Sequence, residues 1–256
     1  MKLGFVGTGA LTSAIVTGLK SLADDGSSIV VSPRNREIAE SLAARFADVR
    51  VAASNQDVLD SSDTVVLAVR PQVARAVLSE LTFRPDHEIV TLIATVTVEE
   101  IATLVAPARR VTKALPMPMI ARGEGATIVY PPDPAVAAFF RRLGGVIEVD
   151  DVAEFDAMSV VTATFATFFR NLQTIHEWLG EKGVAADRAR DYIVAIYKAL
   201  ANAPDTAPQA DFAELSREYA TRGGVNEQVV RELEARKVFE ALAETLDGAH
   251  RRMVGG

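Results

Sequence analysis

The chain has 256 residues, with 27 Lys or Arg against 34 Asp or Glu, so its net charge is −7. This balance argues against nucleic acid or an anionic membrane surface as the main partner. The absence of cysteine excludes disulfides, thiolate metal sites and thiol chemistry. The three histidines fit no metal-binding spacing, so no metal is expected. No transmembrane run or signal peptide is predicted, which favours a soluble cytoplasmic protein.

In the first half of the chain, short runs rich in Val and Ile alternate with segments of helical periodicity. The predicted strands are 2–6, 28–32, 64–69, 88–93, 111–115 and 126–130, and the clearest predicted helices are 11–22, 35–46 and 72–81. The strands are apolar on both faces, as in a parallel sheet covered by helices. This alternation predicts a doubly wound α/β domain over residues 1–150.

After a strand-like run at 146–149 the pattern becomes helical, which predicts an all-α domain over residues 151–256. The predicted helices are 152–179, 185–201 and 211–253, the last broken at Gly223-Gly224, and 203–210 is predicted to be a loop. Such a segment could form a monomeric bundle or interlock with a second chain. The long apolar helix favours a homodimer or larger homo-oligomer, because one short chain offers it too few partners.

A glycine-containing turn follows the first strand and opens the first helix, as in a Rossmann-type dinucleotide site. The predicted phosphate contacts are Gly7, Thr8, Gly9, Ala10 and Leu11. Glycine permits the tight turn and a close phosphate, while the helix N-terminus supplies N–H groups. The third position of the fingerprint is Thr12 rather than Gly or Ala, and the alternative is a plain strand-to-helix turn.

The end of the second predicted strand indicates which dinucleotide would bind. An NAD site usually has Asp or Glu there for the ribose 2′-hydroxyl, whereas a 2′-phosphate favours a guanidinium and no carboxylate. The chain has Ser32 and Arg34, which predicts NADP. Arg36 is a second phosphate contact or, by the simpler alternative, a solvated helix residue.

Several motifs follow one another along most of the chain: LGFVGTG at 3–9, Asn55, LAVRPQ at 67–72, Leu115-Pro116 followed by GEG at 123–125, and TRGGVN at 221–226. In this order they resemble the motifs of the pyrroline-5-carboxylate reductase family. The resemblance implies NADPH-dependent reduction of a small cyclic imine carboxylate, the last step of proline biosynthesis. It also implies that Asn55 contacts the adenosine, although a helix cap is the alternative there.

The strand ends after 67 and 93 are the remaining candidates for the cofactor. Ligands in open α/β sheets lie beyond the carboxyl ends of the strands. The predicted contacts are Ala68, Val69, Arg70 and Pro71, with Ala94 beside the nicotinamide.

The turn at 221–226 is the candidate substrate site. Gly223, Gly224 and Val225 are predicted substrate contacts, because backbone amides before a helix beginning near Val225 would bind an anionic group, although a simple break between helices explains the same pattern. Asn226 replaces a family threonine and is predicted to hydrogen-bond the imine nitrogen. Thr221 is the second candidate catalytic residue, and Thr164 a candidate substrate contact.

The sequence also departs from the family around the expected acceptor. The family run SGSGPAY is TATFATF at 162–168, and the asparagine after its MP pair is Met117. Phe168, Phe169 and Trp178 are expected in core or dimer packing. Two alternatives therefore stay open, namely reduction of another small imine or carbonyl acid, and a non-catalytic NADPH-binding dimer.

Overall fold

The computed structural model describes residues 1–23, 25–206 and 209–255. The chain divides into two compact units, Met1–Ser159 and Val160–Gly255. The first contains a sheet with its helices, and the second is helical. A domain boundary at residue 150 stays a prediction.

Eight strands form the sheet of the first unit. They are β1 (Lys2–Val6), β2 (Ser28–Val31), β3 (Val49–Val51), β4 (Thr64–Leu67), β5 (Glu88–Thr91), β6 (Arg110–Leu115), β7 (Ala126–Tyr130) and β8 (Gly145–Glu148). Their order is β3-β2-β1-β4-β5-β6-β7-β8. Every neighbouring pair is parallel except β6 and β7. This arrangement confirms the predicted α/β class and brings the carboxyl ends of β1 to β5 to one edge.

Helices cover both faces of this sheet. The helices of the first unit are α1 (Ala10–Lys20), α2 (Arg36–Arg45), α3 (Asn55–Asp60), α4 (Pro71–Ser79), α5 (Val98–Leu104), α6 (Pro134–Arg141) and α7 (Val152–Val160). On one face α1, α2 and α6 bury residues such as Phe5, Ile15 and Phe140. On the other α3, α4 and α5 bury residues such as Leu67 and Leu78. Burial on both faces explains why the strands read as continuous apolar runs.

The second unit contains six helices and a short 3-10 segment, Val161–Thr164, among the described residues. The helices are α8 (Phe165–Glu181), α9 (Ala186–Ala201), α10 (Ala203–Thr206), α11 (Phe212–Tyr219), α12 (Val225–Ala235) and α13 (Val238–Val254). Val160, Ala189 and Ile193 are the buried apolar residues of this unit within the described chain. By contrast Phe169 is 66% exposed, and Phe168 and Trp178 are also exposed.

One helical prediction is corrected. Residues 203–206 form α10 where a loop was expected, because Pro204 lies in the first turn, where its missing N–H costs no hydrogen bond. The rest of that predicted loop includes 207 and 208, which lie outside the described residues. The helical segments over 152–181 are also long and apolar enough to cross a membrane by length and composition. Polar residues such as Arg170 interrupt the apolar run, so no stretch of it is continuously apolar over about 18 residues.

Candidate dinucleotide-binding site

The turn after β1 depends on a close approach between Gly7 and the end of β4. Gly7 has a φ of 105°, a conformation that other residues rarely adopt. A β carbon at this position would lie 2.5 Å from the carbonyl oxygen of Ala68. Glycine is therefore required here by both backbone conformation and space.

Hydrogen bonds with buried hydroxyl groups stabilise the turn after β1 on its inner side. The Gly7 amide donates to Ser32 Oγ at 2.9 Å, and Thr8 Oγ1 donates to the Ser32 carbonyl oxygen at 2.7 Å. The two hydroxyls lie 3.0 Å apart. Both side chains are buried, Ser32 completely. The Ser32 side chain thus supports the turn from inside the protein and does not face a cofactor, in contrast to the predicted contact.

Thr12 explains the departure from the glycine fingerprint. Its side chain is fully buried, and its Oγ1 donates to the carbonyl oxygen of Gly7 at 2.7 Å. The hydroxyl therefore has a partner, so the residue does not bury an unsatisfied polar group. The larger residue fits between helix and turn while closing the turn by a hydrogen bond.

The N-terminus of α1 faces open space. Gly9 is the N-cap residue, and no side chain caps the helix. A β carbon at Gly9 would meet nothing within 4 Å. The first amides of α1, including those of Ala10 and Leu11, have no partner in the helix and can bind an anion.

An open cleft of about 430 Å³ adjoins this turn. Its lining residues are Gly7, Thr8, Gly9, Arg34, Asn35, Arg36, Ala68, Val69, Arg70 and Val73. Seven predicted contacts therefore line one cleft, while Asn35 and Val73 were not among the predicted contacts. Asn35 adjoins the motif arginines, but nothing in the pattern distinguishes Val73 from other apolar helix residues.

The arginines of the cleft differ in their partners. Arg36 Nε donates to Glu40 Oε1 at 2.7 Å, one turn along α2, which raises the pKa of Arg36. This pair supports the solvated-helix alternative for Arg36. Arg34 and Arg70 have no ion-pair partner within residues 1–23, 25–206 and 209–255. Two guanidinium groups are thus available to a phosphate.

The other predicted contacts also follow strands of this edge. Pro71 is the first residue of α4, where no N–H is needed. Asn55 is the first residue of α3, but the N-cap is Ser54, whose side chain accepts from the Asp57 amide. A capping role thus belongs to Ser54. Ala94 is exposed in the turn after β5.

The predicted substrate turn lies in the second unit. Gly223 has a φ of 74°, and Gly224 is the N-cap of α12. The Gly224 amide donates to the Thr221 carbonyl oxygen at 2.8 Å. The Gly223 amide donates to Glu227 Oε2 at 2.6 Å, so a carboxylate of the chain itself occupies the predicted anion donor.

The remaining candidates of this unit also have partners. Asn226 Nδ2 donates to the Tyr219 carbonyl oxygen at 3.0 Å, which leaves one amide hydrogen and the amide oxygen for a ligand. Thr164 Oγ1 donates to the Val161 carbonyl oxygen at 2.7 Å, so its hydroxyl can still accept. The Val225 side chain is exposed.

Comparison with known proteins agrees with this division. Residues 2–97 match the family described as NADP oxidoreductase, coenzyme F420-dependent, and residues 153–255 match the pyrroline-5-carboxylate reductase dimerisation family. The chain is 26% identical to pyrroline-5-carboxylate reductase of Pseudomonas aeruginosa, covering 98% of this chain and 95% of that protein. The fold resembles that enzyme from Streptococcus pyogenes (TM-score 0.87, 21% identity, covering 100% and 99%). It also resembles Plasmodium falciparum pyrroline carboxylate reductase with NADP bound (TM-score 0.82, 15% identity, covering 100% and 97%).

The fold and the phosphate-binding turn define a dinucleotide-dependent oxidoreductase with a helical dimerisation domain. Residues 153–255 match the pyrroline-5-carboxylate reductase dimerisation family, and the chain is similar to enzymes of that name along most of its length. The dimerisation match includes most of the apolar helical segment 152–181, so subunit association accounts for its composition. Together with the exposed aromatic side chains of α8, this match indicates a homo-oligomer.

Proposed function

We propose that the protein reduces pyrroline-5-carboxylate to proline with NADPH, as a homodimer or larger assembly in the cytoplasm. The observation that carries this proposal is the match to a reductase of that name along 98% of the chain. The cleft supports the cofactor, because it combines a close-approach glycine, an uncapped helix N-terminus and unpaired Arg34 and Arg70.

NADPH, when bound, supplies the hydride that reduces the imine carbon. The protein holds the diphosphate on the Gly7–Gly9 turn and the amides of α1. Arg34 neutralises the 2′-phosphate, while Asn55 and the residues after β4 contact the rest of the dinucleotide. Ala94 lies at the nicotinamide end.

The acceptor would be held by residues of the second unit. The first amides of α12 attract its carboxylate, and Asn226 keeps one N–H that can hydrogen-bond the imine nitrogen. Thr221 and Thr164 supply further polar atoms. These groups orient the acceptor, and orientation is the main contribution of the protein to a hydride transfer.

One contact supports a second candidate, reduction of an imine without a carboxylate at this position. The Gly223 amide is already bonded to Glu227, and a substrate carboxylate would have to displace a group of the same charge. The altered run at 162–168 and Met117 also favour a changed acceptor.

The deciding experiment is NADPH oxidation with four acceptors: pyrroline-5-carboxylate, pyrroline-2-carboxylate, pyrroline without a carboxylate and a keto acid. The main proposal expects the first to have the highest kcat/KM. A preference for unsubstituted pyrroline would establish the second candidate. Tight NADPH binding without turnover of any imine or of a keto acid would instead favour a non-catalytic NADPH-binding dimer.

A further inference from the structure

A lysine is buried within the sheet near the end of β6. Lys113 is only 5% exposed, in a strand whose other residues are mostly apolar. Burial of a lysine is rare and is costly unless the amine has partners. The Lys113 amine therefore needs hydrogen-bond partners inside the protein.

The partners of Lys113 lie on the turn that follows β5. Its Nζ donates to the carbonyl oxygens of Ala94 at 2.7 Å and Val96 at 3.2 Å. It also lies 5.2 Å from the centre of the Phe155 ring. Burial lowers the pKa of Lys113, whereas the charges of Asp156 and Glu99 oppose this shift. One side chain thus joins β6, the turn after β5 and α7.

The turn at 94–96 lies at the carboxyl edge that carries the phosphate-binding turn. β5 pairs with β4 in parallel, with Thr91 opposite Leu67, so this turn and Ala68 follow adjacent strand ends. Ala94 and Thr95 are exposed, whereas Val96 is buried. Lys113 therefore supports this turn from inside the protein. The other side of the turn is exposed at the edge where ligands of such sheets bind.

From these contacts we propose that Lys113 is a positioning residue for the nicotinamide half of the bound dinucleotide. By fixing the carbonyls of Ala94 and Val96, it keeps the turn in the shape against which the nicotinamide lies. It does not touch the reacting atoms. The proposal rests on the dinucleotide site described under the proposed function and adds a requirement specific to one end of it.

The test separates the two halves of the cofactor. Lys113→Met removes both hydrogen bonds at similar side-chain length, and Kd is measured for NADPH and for adenosine 2′,5′-bisphosphate, which lacks the nicotinamide half. We expect weaker NADPH binding or lower kcat by about tenfold, with the affinity for the bisphosphate unchanged. For the variant Lys113→Gln, which keeps one donor group, NADPH affinity and kcat are expected to lie between those of Lys113→Met and those of the original chain. Lys113→Gln replaces Lys113→Met if Lys113→Met does not fold.

Lys20→Met is the matched control. Lys20 is also buried, and it donates to the Ser27 carbonyl oxygen at the opposite edge of the sheet. Loss of the Lys20 amine should lower the melting temperature without changing the affinity for NADPH or for adenosine 2′,5′-bisphosphate. The proposal is overturned if the Lys113 variants keep NADPH affinity and kcat within about twofold of the original chain, or if they weaken both ligands equally. Because binding is measured without an acceptor, failure to reduce pyrroline-5-carboxylate would count only against the proposed function.

Discussion

Gly18 of α1 lies directly against the carbonyl oxygen of Ile120, and a β carbon at position 18 would approach that oxygen to 2.6 Å. Ile120 belongs to a 3-10 segment, Pro118–Arg122, that connects β6 to β7. Since the Ile120 oxygen belongs to the backbone rather than to a flexible side chain, this contact cannot relax without moving the helix or the connection.

Gly18→Ala should therefore destabilise the first unit. Alanine favours helix more than glycine does, but the clash outweighs this gain, and we expect a loss of about 1–3 kcal/mol in the free energy of unfolding. Urea denaturation measures the loss. Gly26→Ala is the control, because a β carbon there meets nothing within 4 Å. Equal stability of both variants would contradict the close approach.

Thr12→Val tests the hydrogen bond that closes the phosphate-binding turn. Valine has the same shape but no hydroxyl, so the Gly7 carbonyl oxygen loses a partner, at a cost of about 1–3 kcal/mol. Urea denaturation and NADPH titration should show lower stability and weaker binding. Thr17→Val, on the same helix, removes a hydroxyl without a hydrogen bond to the described residues and should change neither.

Arg34→Ala should discriminate between the two nicotinamide cofactors. A guanidinium facing a 2′-phosphate contributes to NADPH binding alone, so we expect NADPH affinity to fall about tenfold or more while NADH affinity is retained. Fluorescence titration gives the Kd values for NADPH and for NADH. Arg36→Ala should have the smaller effect, because Arg36 pairs with Glu40. Equal losses for the two cofactors would show that Arg34 does not meet the 2′-phosphate.

Asn226→Ala should lower turnover of the imine while leaving NADPH affinity nearly intact. The variant removes the amide that is proposed to hydrogen-bond the imine nitrogen, and a fall in kcat/KM of about tenfold is expected. Steady-state kinetics and NADPH titration separate the two effects. Gln228→Ala, which alters another amide of α12 that bonds Glu232, should leave both unchanged. An unaltered rate for Asn226→Ala would place the acceptor elsewhere.

A buried carboxylate makes stability depend on pH. The Asp25 side chain is 1% exposed and lies 3.0 Å from Lys20 Nζ and 3.1 Å from Arg142 Nη2. Burial opposes its ionisation, but hydrogen bonds from Ser27, Lys20 and Arg142 and the charge of Lys20 lower the pKa of Asp25 below 3.8. Its contribution to stability is therefore present above that value and is lost as the pH falls through the folded-state pKa.

Asp25→Asn should reduce the free energy of unfolding by about 3 kcal/mol at pH 7, and the difference from the original chain should shrink toward pH 3. Urea denaturation at several pH values provides the measurement. Asp86→Asn is the control, because that carboxylate is exposed and its ion pair with Arg84 contributes little to stability. A difference in the free energy of unfolding that does not change with pH would contradict the lowered pKa of Asp25.

The sequence was sufficient for features that follow from local pattern. The apolar strands predict a sheet covered on both faces, and a glycine turn between strand and helix predicts the cleft beside Gly7. The three-residue strand β3 is too short to show a period and was not predicted. The direction of the Ser32 side chain and the partners of Lys113 depend on neighbouring strands, so pattern within one segment could not reveal them.

The exposed aromatic residues of α8 bear on how the protein must be handled. If a second chain covers them, folding and association are one equilibrium, and the melting temperature rises with protein concentration. Dilution would then lower both the stability and the activity of the enzyme without any change in sequence or buffer. Activities compared between laboratories are meaningful only at a stated subunit concentration.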